Sequence, residues 1–195
     1  MFHIIIALLI LAVFYGVYLG KIILQKRKGI RTDQIARGKM RGRRFYIELI
    51  MKIATYSIVA VQVASVFLGV ALLSIPWRCV GIVIAVLGDI LFAFSVYTMR
   101  DNWRAGIAEN EKTEFVNYGI YFMSRNPAFL GFDLMYIGLL LIFFNPVLLV
   151  FSLWAIIMLH LQILQEEKHL QSVFGEAYWA YKGKVRRYFG RYKRR

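Results

Sequence analysis

Two short stretches of this sequence carry the side chains best suited to chemistry. The first, Gly119 to Gly131, contains Arg125-Asn126-Pro127. Proline suits the first turn of a helix and Asn126 can cap it, so Arg125 stands just outside a helix N-terminus. Free amides beside a guanidinium make a place for a carboxylate or another anion. The same residues also describe an ordinary capped helix with an interfacial arginine. The second stretch begins at Gln165-Glu166-Glu167-Lys168-His169 and continues, rich in aromatics, to Tyr188-Phe189. Glutamates accept hydrogen bonds from amines and hydroxyls, yet two adjacent acids at the end of an apolar helix also describe plain solvated surface. Tyr178 and Tyr181 are three apart and share a helix face.

Apolar elements have to position these stretches. Of the 195 residues, 59% are hydrophobic, and the formal net charge is +14, a combination foreign to an ordinary soluble domain. The apolar residues form blocks at 1–20, 49–77, 79–99, 128–144 and 146–164. About 20 residues at roughly 1.5 Å each cross a hydrocarbon layer, so the first three blocks are long enough to span. The first has no basic n-region and no small-x-small site, and reads as a retained span rather than a signal peptide. The second span runs to about Leu73, followed by a short turn, Ser74 to Arg78, with Pro76 as breaker. Phe129 to Phe144 and Val147 to Gln162, each about sixteen residues, flank Asn145-Pro146 and predict a tight hairpin. The expected fold is an all-α integral membrane protein with about five transmembrane helices. The last two form a short helical hairpin, followed by a cytoplasmic C-terminal helical segment. The open ends of the hairpin bring Arg125 and Glu166 together.

Charge sets the expected orientation. Residues 21–44 hold ten Lys and Arg, among them Arg37, Lys39 and Arg41, against the single acid Asp33. The tail from Lys182 to Arg195 is also basic. The positive-inside rule puts both in the cytoplasm, with the N-terminus outside, in what reads as the plasma (inner) membrane of a prokaryote. An anionic leaflet explains both stretches, so no nucleic-acid partner is expected. Cys79 is the only cysteine, no HExxH occurs, and no metal site is expected. Asp89 and Asp133 fall within apolar blocks, where an acid serves helix-to-helix hydrogen bonding or a site. Gly81 with Gly88, and Gly131 with Gly138, mark close helix packing.

Gly119 to Gly131 resembles the G-x-Y-x-x-x-R-[HN]-P-x-[YF]-x-G element of the isoprenylcysteine carboxyl methyltransferase and phospholipid methyltransferase superfamily. Glu166, Glu167, Leu170, Phe174, Gly175, Tyr178, Tyr181, Val185 and Arg187 match its second half, and Asp101-Asn102-Trp103-Arg104 resembles the segment after the preceding span. The resemblance implies an S-adenosyl-L-methionine-dependent membrane methyltransferase acting on a hydrophobic or membrane-embedded acceptor with a carboxyl, thiol or amine group. It implies a cofactor site on the cytoplasmic side built from Tyr121, Arg125, Asn126, Pro127, Phe129, Glu166, Glu167, Tyr178 and Tyr181. Arg187 or Arg104 would orient an acceptor carboxylate, and Trp103 would help close the pocket. The chain then divides into N-terminal helices with a basic loop, 1–87, and a catalytic region, 88–195. Asn126, Phe129 and Gly190 stand where the pattern more often has histidine, tyrosine and proline. The alternatives are an inactive family member that binds lipid, or a small membrane transporter or scaffold. The glycine faces suit packing within one chain or between two, leaving the oligomeric state open.

Overall fold

The computed structural model describes residues 1–35, 42–106 and 114–192. Arg37, Lys39 and Arg41 of the basic loop, and Lys193, Arg194 and Arg195 of the tail, lie outside the described residues. Among the described residues five α-helices follow in order: α1 (Phe2–Arg27), α2 (Arg43–Leu68), α3 (Ile75–Met99), α4 (Pro127–Ile142) and α5 (Pro146–Lys182). Helices α1, α2, α3 and α5 are long and apolar enough to cross a membrane, as an integral membrane protein requires.

Local chemistry explains where the helices begin and end, and corrects three sequence expectations. Helix α2 stops at Leu68, short of Leu73, because Gly69 takes a left-handed conformation (φ 64°) and its N–H closes onto the Ser65 and Val66 carbonyls. Pro76 does not break the turn; it sits in the first turn of α3, where a missing N–H costs nothing. The last two helices are unequal. Helix α4 has 16 residues, but α5 runs for 37, because Gln165, Glu166, Glu167 and Lys168 are all good helix formers and nothing there stops the helix. It breaks locally only at Gly175 (φ 50°, ψ −124°).

Helices α3 and α4 run antiparallel in close contact. A Cβ at Gly138 would lie 2.5 Å from the Ala85 nitrogen, and one at Gly88 would lie 2.7 Å from the Met135 nitrogen. Only hydrogen fits at these positions, which lets the backbones approach and pack by dispersion. Helix α2 packs along α5. At one end of the bundle the Leu72 N–H donates to the Phe144 carbonyl (3.0 Å), joining the α2–α3 turn to the α4–α5 turn. At the other end Gln25 donates to the Trp103 carbonyl (3.1 Å) and Lys28 pairs with Asp101 (2.8 Å), so the end of α1 clasps the segment after α3. That second end also holds the start of α4, and both chemistry-bearing stretches gather there.

Candidate functional site

The two stretches meet through one carboxylate. Arg125 Nη2 donates to Glu167 Oε1 (2.9 Å), and so do Asn126 Nδ2 (3.0 Å) and Arg187 Nε (3.0 Å). Arg187 Nη2 donates to the other oxygen, Oε2 (3.1 Å), completing a two-pronged pairing. The Arg125 and Glu167 side chains are only 5% and 4% exposed, so water does little of the work of satisfying these charges. The Glu167 carboxylate holds the Arg187 guanidinium above its ordinary pKa by hydrogen bonding to the charged form. One acid between two guanidiniums leaves the cluster with an excess of positive charge.

The residues after α5 fold back to complete the cluster. Arg125 N–H donates to the Arg186 carbonyl (3.1 Å), Gly190 N–H to Met123 (2.7 Å), and Arg186 N–H to Gly190 (2.9 Å). Gly190 holds φ 98°, which proline cannot adopt, so the departure from the family pattern has a conformational reason here. Arg125 Nη1 also donates to the Lys182 and Val185 carbonyls (3.2 and 3.1 Å), while its buried Nε has no partner. A cavity of ≈ 540 Å³ opens beside these groups, lined by Arg125, Trp179, Lys182, Gly183, Arg187 and Tyr192. Next to it Tyr178, Tyr181 and Val185 form a small separate core with Phe115, Leu170 and Phe174 against them. Tyr181 donates its hydroxyl to the Tyr121 carbonyl (2.5 Å), whereas the buried Tyr178 hydroxyl has no partner.

The sequence-derived candidates separate accordingly. Arg125, Asn126, Glu167 and Arg187 converge directly, with Tyr121, Tyr178 and Tyr181 around them. Asn126 stands at the N-cap position of α4 but does not cap with its side chain, which is committed to Glu167 and to the Arg187 carbonyl (3.2 Å). Pro127 opens α4, and Phe129 packs on the apolar core, where a hydroxyl would be wasted. Glu166 turns away from the cluster and accepts from Gln162 Nε2 (3.2 Å). Adjacent helical residues point about 100° apart, and of the two glutamates it is Glu167 that bonds Arg125, Asn126 and Arg187. Trp103 lies in the main core, edge-on to Tyr18 and Phe92, and Arg104 Nη1 donates to the Asp101 and Trp103 carbonyls (2.6 and 2.9 Å). Neither joins the cluster through these contacts. No group of three metal-ligating side chains occurs among the described residues.

Sequence reasoning missed Phe115, whose ring lies tilted against Phe174 and faces Tyr181 edge-on, and the cavity residues Trp179 and Lys182. Trp179 and Lys182 are three apart on α5, so the helix period signals a shared face. Nothing local to Phe115 signals its place, because that depends on where α5 carries Phe174.

The isoprenylcysteine carboxyl methyltransferase (ICMT) family profile matches residues 80–172. The chain is similar to the protein-S-isoprenylcysteine O-methyltransferase of Saccharomyces cerevisiae, 29% identical over 110 residues, covering 54% of this chain and 45% of that enzyme. It is also similar to the enzyme of the same name from Xenopus laevis, 32% identical over 116 residues, covering 57% of this chain and 40% of that one. The matches thus span less than half the length of these relatives. Most of α3, all of α4 and both glutamates lie inside the matched region, over which the chain is similar to the isoprenylcysteine carboxyl methyltransferase family.

Proposed function

We propose that this protein transfers a methyl group from S-adenosyl-L-methionine to a hydrophobic acceptor, in the manner of its isoprenylcysteine-methylating relatives. The observation that carries this reading is the convergence of Arg125, Asn126, Glu167 and Arg187, with Glu167 42 residues after Arg125 and Arg187 20 residues after Glu167, beside an open basic and aromatic cavity. The fit to the cofactor rests on polar atoms still free to bind. Arg125 Nε suits a carboxylate, and the Tyr178 hydroxyl suits a ribose hydroxyl or amine. The rings of Trp179 and Tyr192 in the cavity lining carry the protein's own cations, Lys182 at 4.7 Å and Arg186 at 5.4 Å.

When bound, the cofactor supplies a methyl group already activated on a sulfonium, so no nucleophile dyad is needed from the protein. The protein's contribution is alignment and exclusion of water. Glu167 fixes both guanidiniums, leaving Arg125 to hold the cofactor's polar end and the exposed edge of Arg187, with Lys182, to attract an acceptor carboxylate. Such an acceptor requires no general base. The acceptor's apolar part stays in the bilayer beside the bundle, and the site faces the cytoplasm, where the basic ends of α1 and the tail are also placed.

Calorimetric titration of the detergent-purified protein with S-adenosylhomocysteine tests the reading. Saturable binding weakened by Arg125→Ala and by Glu167→Ala supports it. Absence of binding by folded wild-type protein overturns it and favours a lipid-binding member of the family that has lost activity.

A further inference from the structure

Beyond α5 the chain doubles back as a tight hairpin. Val185 and Arg191 form an antiparallel bridge, Tyr192 N–H donates to the Lys184 carbonyl (3.1 Å) and Arg186 N–H to Gly190 (2.9 Å), which leaves Arg187, Tyr188 and Phe189 at the tip. Tyr188 sets the depth of that tip. Its hydroxyl pairs with His160 Nδ1 on α5, and the two rings stack at 6.0 Å and 20°. His160 lies seven residues before Glu167, within the apolar part of α5 and about 10 Å further into the bundle at roughly 1.5 Å per residue. Ile157 and Leu164 flank it in sequence and are both exposed, so lipid reaches this level of the helix. The tip therefore hangs down the flank of α5 toward the hydrocarbon.

What the hairpin exposes matches that level. Phe189 is 58% exposed, and Phe122 and Met123, drawn alongside where Gly190 N–H donates to the Met123 carbonyl (2.7 Å), are exposed too. Bases stand among these apolar groups. The Arg191 guanidinium lies over the Phe122 ring at 3.8 Å, and Arg186 over Tyr192 at 5.4 Å. Aromatic and basic side chains mixed in this way compose a headgroup-level surface. Lys184, Arg186 and Arg191 are all exposed, and among the described residues no carboxylate pairs with any of them. The chain leaves their charge uncompensated, and the complementary group at a leaflet surface is a phosphate. Because the Tyr188–His160 contact joins the apolar face to the lipid-exposed flank of α5, the occupant is the bilayer itself.

We propose that the 184–192 hairpin is seated in the membrane: Phe189, Phe122 and Met123 enter the leaflet, while Lys184, Arg186 and Arg191 bind the phosphates of anionic phospholipids. Tail charge alone places this segment near a leaflet; the hairpin adds insertion to a set depth and selectivity for lipid. The same hairpin supplies Arg187 and Tyr192 to the cavity, so lipid composition acts on two residues of the cavity wall. Each basic residue near an anionic surface favours the seated position by about fivefold. None of this depends on which reaction the site performs.

Cys79 is the only cysteine, so Cys79→Ser combined with Phe189→Cys gives the full chain a single nitroxide label at the tip. Ser172→Cys, exposed on α5 five residues beyond Glu167, gives an aqueous reference, and Phe122→Cys a second reading of the apolar face should a label at Phe189 disturb the hairpin. Collision with oxygen, which concentrates in lipid, is compared with collision with a water-soluble nickel chelate. The protein sits in nanodiscs of phosphatidylcholine with about a third phosphatidylglycerol, and in nanodiscs of phosphatidylcholine alone. In the anionic discs the oxygen-to-nickel ratio at Phe189 is expected to exceed that at Ser172 by at least about fivefold. Removing phosphatidylglycerol, or combining Arg186→Gln with Arg191→Gln, is expected to lower it by about fivefold or more. Nickel-dominated collision at both Phe189 and Phe122 in anionic discs overturns the inference and assigns the face to water or a soluble partner. A ratio at Phe189 that is the same with and without phosphatidylglycerol also overturns it, and that comparison uses one protein throughout, so misfolding of a variant cannot imitate either result.

Discussion

The α3–α4 contact and the Glu167 cluster hold neighbouring parts of the molecule by opposite means. Between α3 and α4 the side chains are removed: Gly81, Gly88, Gly131 and Gly138 let backbone meet backbone, and dispersion over many atoms supplies the attraction. Around Glu167 four hydrogen bonds from three side chains crowd onto one carboxylate. A seam of glycines tolerates nothing larger but is indifferent to charge. The cluster tolerates little change in charge, and its backbone partners come from a tail remote in sequence. Rigid packing thus fixes where α4 begins, and the electrostatic cluster uses that fixed point to organise the rim.

Substitutions on each side of this contrast separate the two means. Glu167→Ala strands two guanidiniums, one of them deeply buried, and should lower stability by about 3–5 kcal/mol and abolish measurable S-adenosylhomocysteine binding. Thermal unfolding in detergent and calorimetry check both effects; binding close to wild type would mean the cluster is not the cofactor's anchor. Gly138→Ala should cost about 1–3 kcal/mol through overpacking, while the protein that remains folded binds S-adenosylhomocysteine normally. A changed affinity there would show that the seam and the cluster are coupled. Tyr181→Phe removes the hydroxyl donor to the Tyr121 and Ser124 carbonyls and should cost about 1 kcal/mol, read as a lowered unfolding midpoint. The smallest change is expected of Glu166→Gln. Because Glu166 faces away from the cluster, S-adenosylhomocysteine affinity should move by less than about twofold, in contrast to its neighbour.

The contrast also explains what was legible in the sequence. Glycines seven apart announce a close helix contact because the helix period converts spacing into a shared face, and the structure bears this out at Gly81, Gly88, Gly131 and Gly138. The meeting of Arg125 with a glutamate followed from the hairpin, since its two arms must return to one end. Which glutamate makes the contact did not follow. Helical phase separates Glu166 from Glu167, and the phase is set by how α5 packs on α2 far from either. Asn126 misled for a related reason: its side chain suits an N-cap, but a buried carboxylate 3.0 Å away is the stronger claim on its amide. The fall in hydropathy after Gln162 marks the end of the apolar part of α5 and not the end of the helix, which runs on to Lys182.

The backbone link from Arg125 to Arg186, and from Gly190 to Met123, has a consequence for biogenesis. Residues 183–192 leave the ribosome after α1 to α5 have been synthesised. A nascent chain can therefore insert its whole bundle, seam included, while Glu167 still lacks Arg187 and the cavity lacks Gly183 and Tyr192. Insertion and maturation of the site become two separable events in time, and a chain truncated after α5 would enter the membrane normally yet never acquire a finished rim.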